Sequence, residues 1–326
     1  MTSTETKQVM KAPSEIPSFD SLVYPFYESQ KLDGWRCLIA PGLGLLSSKT
    51  KPIRNPKMTD RLEAVIHHCN VEGLILDGEL FSSTLKFKEI GGALNSYSGD
   101  LYDIEFHAFD LITHAEWHGL YHRTPFEVRL KALQNLRNQF PYFRIIPQVL
   151  VCDAKTAELR FQTRLSLNQE GSILKSPHSP YKHGRCTFNE QWMFKFKEFV
   201  TVDATIVQAH IQQKLKANVP RSYRPDNLIE SVHREEFYEP DTKIGSFTVR
   251  TATGQLCRVK PGVGFTDSHK SIWFECVKNN PDYFLDQQVK ISYMPHGTDL
   301  KPRVGTLLSF DELIVSQPSQ SIIDPV

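Results

Sequence analysis
The chain has 326 residues, 40% of them hydrophobic and 23% charged, with a net charge of +1. That composition excludes a wholly disordered chain, and near neutrality excludes nucleic-acid binding by bulk positive charge while leaving room for a local basic groove. The most apolar stretch, CLIAPGLGLL (37–46), is too short for a membrane helix and is broken by Pro41 and two glycines.

Residues 1–20 are polar and Pro-punctuated and are expected to form a flexible or loosely docked tail. They show no basic-then-apolar leader, and none of the six cysteines sits in a CxxC pair, so the expected compartment is reducing and cytoplasmic. From 21 to 200 strands and helices mix. WRCLIA, GLILDGELF, IEFHAFDLI, GSILKS and QWMFKFK read as strands. His67, His68 and Cys69 fall on a helix whose apolar face is Leu62, Val65, Ile66 and Cys69, so a structural role is expected for Cys69. A second helix is expected over 125–140, with Thr124 and Glu127 as a capping box around Pro125. From 201 to 326 short strands alternate with Gly, Pro and Asn turns: VDATIVQAHI, GSFTVRTA, QLCRVKPG, QVKISYM and VGTLLSF. These predict a small all-β barrel or sandwich, interrupted by a polar excursion over 211–243.

Four segments carry the chemistry. KLDGWR (31–36) opens a strand with a lysine beside Asp33 and Gly34. LDGEL (76–80) ends a very apolar strand in two carboxylates, which bind something or cap a turn. EGSILK (170–175) repeats the acid–glycine entry to a strand. Lys195 and Lys197 alternate along KFK and so point to one face. Each has a bland alternative when read singly: DG turns, a charged edge strand, and, for Phe109, a place in the core. Together they are the inventory for a nucleoside triphosphate, expected at the ends of strands sharing one sheet. Lysines neutralise phosphate and carboxylates hold magnesium, while a desolvated lysine among cations becomes a nucleophile. Neither GxxxxGK[ST] nor a helix-opening GxGxxG is present.

The ordered series KLDGWR, LDGEL, FDLI, EGSILK and KFK resembles the covalent nucleotidyltransferase superfamily of ATP-dependent DNA ligases, RNA ligases and mRNA capping enzymes. The short ATP-dependent DNA ligases of bacteriophages and bacteria are the nearest likeness, over residues from about 22 to 313 apart from the excursion. The resemblance implies an α+β fold. An ATP-grasp-like nucleotidyltransferase domain with antiparallel sheets and flanking helices would span 21–200. An OB-fold β-barrel would span 201–326, built from GSFTVRTATGQLCRVKPGVGFTD, a Trp273 strand and the closing strands QVKISYMPHGTDLKPRVGTLLSF.

It also implies roles. Lys31 would be the nucleophile adenylylated by ATP. Arg36 would contact the nucleotide or the 5′-phosphate of a nick. Glu79 would hold the ribose, Phe109 would stack on adenine, and Lys195 and Lys197 would bind the α-phosphate. Glu170 would bind near the nucleotide and, with Asp77, near the metal. Arg123 resembles a family position without a firm role. ATP and Mg2+ (with Mn2+ as substitute) are the implied cofactors, and nicked duplex DNA the implied partner of a monomer with no membrane contact. An RNA ligase or capping-type guanylyltransferase is the alternative. The chain departs from the family pattern at one place: LSSKTKPIRN (46–55) has Ser48 where an arginine is expected, leaving Lys49, Lys51 or Arg54 to supply the phosphate contact. Residues 1–200 carry 24 basic and 22 acidic side chains, so affinity for DNA must come from arrangement.

Overall fold
The computed structural model describes residues 7–119, 124–219, 234–262, 264–294 and 303–310. Two units divide the chain, Met1–Glu198 and Phe199–Val326.

In chain order, the first unit holds β1 (Met10–Lys11), β2 (Phe26–Gln30), β3 (Trp35–Ala40), β4 (Gly44–Ser47), α1 (Pro56–Arg61), α2 (Glu63–Glu72) and β5 (Leu74–Phe81). It continues with α3 (Phe87–Asn95), β6 (Glu105–Thr113), α4 (His114–Trp117), α5 (Phe126–Gln134), β7 (Phe143–Ile145), β8 (Gln148–Val151), α6 (Ala154–Ser166), β9 (Gly171–Lys175), β10 (Gly184–Arg185) and β11 (Met193–Lys197). One sheet has the order β4-β3-β5-β6-β7, antiparallel except at β6–β7. The other, β11-β9-β2-β8, is antiparallel throughout.

Strand alternation assigns the faces. In the five-stranded sheet, Cys37, Ile39, Leu76, Leu80 and Phe106 pack with Val65 and Cys69 of α2 and Ile90 of α3. Cys69 is thus buried with Val65, as the helical spacing predicts. On the four-stranded sheet, Phe26, Leu174, Phe194 and Phe196 pack beneath Ala157 and Phe161 of α6. Asp153 caps α6 by accepting from Thr156 N at 2.8 Å. Because α6 covers that face, the opposite face of the sheet is left for the site.

Two expectations fail here. Residues 7–20 are not a loose tail: Val9 and Met10 are fully buried, β1 pairs in parallel with β10, and Phe19 stacks on Phe196 at 3.9 Å. The few apolar side chains of this polar segment are enough to dock it. The helix expected over 125–140 is α5 alone, with turns after Gln134. Pro125, with ψ 148°, takes the N-cap position and leaves no side-chain cap, so the Thr124–Glu127 box does not form.

The second unit is a closed barrel of β12 (Val200–Leu215), β13 (Tyr238–Thr251), β14 (Leu256–Pro261), β15 (Gln288–Met294) and β16 (Arg303–Phe310), ordered β12-β13-β14-β16-β15. Helix α7 (Asp267–Asn279) joins the third strand to the fourth, which gives the OB arrangement. Trp273, expected on a strand, lies on α7 and packs edge-on to Phe247 at 5.6 Å in the barrel core. Most of the described part of the 211–243 excursion is also strand, for β12 and β13 pair out to Leu215↔Tyr238. Its polar character follows from arms with exposed or half-exposed side chains. Residues 220–233 lie outside the described residues.

Candidate active site
Lys31 follows β2 directly, and its amide donates to the Gly171 carbonyl at 2.9 Å. That bond sets the ends of β2 and β9 side by side, and Lys31 Nζ ion-pairs with Glu170. Gly171 has φ +147°, and a Cβ there would lie 2.1 Å from the Phe196 carbonyl oxygen. Glycine is therefore what lets β9 begin against β11. On β11, Lys195 and Lys197 pair with Ile173 and Gly171, while Phe194 and Phe196 are buried on the other face. Burial pushes the Lys195 ammonium down to about 8, helped by Lys197, Arg185 and Lys31 and opposed by Glu170.

The other half of the site comes from the five-stranded sheet. Arg36 is opposite Glu79 in the β3–β5 register and reaches diagonally to Asp77. Gly34 is required just before β3, since a Cβ would sit 2.5 Å from the Leu80 carbonyl oxygen. The β5–β6 register shifts between Asp77 and Gly78, leaving Phe109 unmatched: Asp77 faces Asp110 and Gly78 faces Ala108. This β-bulge lets the consecutive residues Phe109 and Asp110 both escape the helix-side core. Phe109 carries Arg36 over its ring at 5.0 Å. Asp110 is fully buried and binds Arg129 (2.9 and 3.0 Å) and Lys175. Burial alone would raise the Asp110 carboxyl, but Arg129 and Lys175 hold it down at about 2. Glu79 behaves oppositely: burial pushes it up to about 8, against Lys31 and Arg36 and assisted by Glu170 and Asp77.

The two halves enclose a cavity of about 240 Å³. Lys31, Arg36, Glu79 and Phe109 line it together with Gln30, Gln148, Ile173, Lys175 and Met193. The strand ends do not share one sheet as expected; β2, β9 and β11 belong to one sheet and β3, β5 and β6 to the other. Asp77 does not fit the metal role. It is buried, and its oxygens accept from Arg36 Nε at 2.9 Å, Arg36 Nη2 at 2.5 Å and Tyr181 Oη at 2.6 Å. The DG pairs are not turn signals either: Gly34 meets a neighbouring strand and Gly78 sits at the bulge inside β5. Arg123 lies outside the described residues. Ser48 is in the turn after β4, partly exposed.

Sequence reading missed Lys175, Gln148, Asp110, Arg129 and Tyr181. A signal existed for two of them. Asp110 interrupts an apolar run within a strand, where an acid needs a partner. Lys175 shares strand alternation with Ile173. Arg129, Tyr181 and Gln148 carried none, being brought in by contacts far along the chain.

The profile of the ATP dependent DNA ligase domain matches residues 14–197, more than half of the chain. The chain belongs to the ATP-dependent DNA ligase family. A DNA ligase of Haemophilus influenzae is 31% identical over 173 residues, which cover 52% of this chain and 57% of that protein. The match thus spans little more than half of the relative's length. Among solved structures, a Lig E DNA ligase superposes with a TM-score of 0.61 at 18% identity, covering 94% of this chain and 99% of that one. Pmar-Lig_Pre gives 0.66 at 17% identity, covering 93% and 67%. These likenesses show the same fold: a mixed α+β nucleotidyltransferase unit joined to a barrel.

Proposed function
We propose that this ligase-family chain seals nicks in duplex DNA, using ATP and a lysyl-AMP intermediate at Lys31. The carrying observation is the cavity itself. A lysine ion-paired to Glu170 opens on a pocket with an aromatic wall at Phe109 and further cations at Lys175 and Arg36. Phe109 offers a ring face to adenine, and Arg36, braced by Asp77, lies over that ring 5.0 Å from its centroid. Glu79, a lining residue of the cavity, is assigned to a ribose hydroxyl in this reading. In the first step, Lys31 Nζ forms a P–N bond with the α-phosphorus as the P–O bond to pyrophosphate breaks, and pyrophosphate leaves with the electron pair. Lys31 must first lose a proton, and Glu170 is the carboxylate in hydrogen-bond contact to receive it. Lys195 and Lys197 supply positive charge to the α-phosphate as its charge develops. AMP then passes to the 5′-phosphate of the nick, and the 3′-hydroxyl displaces it to join the strands.

Among the described residues no group of three or more His, Cys, Asp or Glu is arranged to hold a metal ion. With Asp77 spent on Arg36, Glu170 is the carboxylate left from that role, which fits a magnesium ion arriving with the triphosphate, since that ion commonly uses one or two carboxylates plus phosphate oxygens. Bound there, magnesium would neutralise phosphate charge. No described helix is long and apolar enough to cross a membrane.

The test is incubation with α-labelled ATP and magnesium, followed by denaturing electrophoresis. Wild-type protein should carry label and Lys31→Ala should not; label retained in that variant overturns the assignment. Labelling by GTP in place of ATP would favour the capping-type alternative. Sealing only of RNA-containing nicks would favour an RNA ligase.

A further inference from the structure
Gln148 lines the active-site cavity from the first position of β8, and its amide is fixed in one orientation. Its Nε2 donates to the Phe109 carbonyl at 2.9 Å. A backbone carbonyl only accepts, so the amide nitrogen must face Phe109 and the amide oxygen must face away from it. The backbone holds the two residues together as well. The bulge leaves Phe109 without a partner in β5, and the Ile146 amide donates to the carbonyl of the adjacent Ala108 at 3.0 Å. Residues 146–148 are thus tied to β6 where the chain passes from the five-stranded sheet to the four-stranded one.

Among the described residues nothing donates to Gln148 Oε1. Gln287 Oε1 is the one buried side-chain nitrogen or oxygen among them that lacks a partner, so Gln148 Oε1 is open rather than sealed in the core. An acceptor fixed beside the ring that would stack on a base is suited to reading the edge of that base. Adenine presents an amino group at C6, which donates; guanine presents a carbonyl there, which does not. Gln30 also lines the cavity, but among the described residues no hydrogen bond fixes its amide, so it can turn to suit either edge.

We infer that Gln148 selects adenine, its Oε1 accepting a hydrogen bond from the 6-amino group of the base stacked on Phe109. This rests on the lysyl-AMP reading above. A fixed acceptor pairs with the 6-amino group of ATP, whereas a 6-oxopurine sets two acceptors against each other and leaves both without a partner.

The experiment follows kcat/KM for labelling of Lys31, in the presence of magnesium, by ATP, by purine riboside triphosphate, which lacks the 6-amino group, and by inosine triphosphate, which has a carbonyl in its place. The wild type should use purine riboside triphosphate roughly tenfold less well than ATP, and inosine triphosphate worse still. Gln148→Leu, of similar size, should lose roughly tenfold with ATP and treat ATP and purine riboside triphosphate alike. It should also narrow the gap between ATP and inosine triphosphate. Gln148→Ala should show the same levelling. Each ratio is taken within one variant, so a change in folded fraction cancels. A shift of Phe109 after loss of the Gln148 amide would weaken both nucleotides equally and leave their ratio at the wild-type value. That result overturns the inference, as does a wild type that uses ATP and purine riboside triphosphate equally well. No label on Lys31 from any of the triphosphates overturns the lysyl-AMP reading instead.

Discussion
Arg36 binds Asp77 across the β3–β5 pair with two hydrogen bonds, Nε to Oδ1 at 2.9 Å and Nη2 to Oδ2 at 2.5 Å. The contact is diagonal, because Arg36 is directly opposite Glu79 and Asp77 is opposite Leu38. It holds the guanidinium carbon over the Phe109 ring, 5.0 Å from its centroid, while Glu79 lines the cavity. A carboxylate that resembles a metal ligand in sequence is, in the fold, the brace of an arginine.

Asp77→Ala should therefore act through Arg36. Removing one partner of an enclosed ion pair costs about 3 kcal/mol, and Tyr181 also loses its acceptor. The urea midpoint should fall, and Lys31 adenylylation should fall with it. A variant of wild-type stability would show that the pair is not a brace.

Phe109→Ala should raise the KM for ATP in adenylylation by roughly tenfold, as expected for one lost base-stacking contact. Phe109→Tyr keeps the ring and should stay near wild type. Pre-steady-state adduct formation at varied ATP separates this binding effect from the chemical step.

Glu79 should make stability depend on pH. Its carboxyl is pushed from the ordinary 4.5 up to about 8 by burial. Between these values the folded chain keeps a proton that the unfolded chain has lost, so the Glu79 contribution to stability falls as pH rises and is gone above about 8. Glu79→Gln should flatten that part of the curve. Urea unfolding at intervals from pH 5 to pH 9 reads the difference; parallel curves would contradict the assignment.

Gly171→Ala should disrupt the end of β9. The new Cβ would meet the Phe196 carbonyl oxygen at 2.1 Å, and φ +147° is strained for any other residue. A loss of about 3 kcal/mol or more is expected from clash and strain together. Adenylylation should fall too, because the Gly171 carbonyl holds the Lys31 amide.

Much of the site was legible because its signals are local. Two-residue alternation assigned Lys195 and Lys197 to one face, and acids ending the apolar β5 had to serve something. Other features were illegible for a physical reason. The β-bulge at Phe109 depends on how β6 registers against β5, which neither strand encodes alone. The brace at Asp77 needs Tyr181, more than 100 residues away. Residues 7–20 looked like a tail because their local polarity is high, and only the clusters around Leu46 and Met193 give Val9 and Met10 somewhere to go. Trp273 looked like a strand residue among strands, yet Thr266 and His269 cap a helix through it.

By itself, the sequence determined which short segments would be strands, where the reactive lysine and its carboxylates stand in the order, and the family they resemble. Side-chain period and close-packing glycines act over a few residues, so they survive in a one-dimensional reading. Tertiary structure alone decided that the site is built by two sheets rather than one, that Asp77 is spent on Arg36, and that Val9 and Met10 of the N-terminal segment are buried. Those outcomes are set by pairing between distant strands, where burial of apolar faces chooses the partner and the polar side chains are carried along to wherever that choice leaves them.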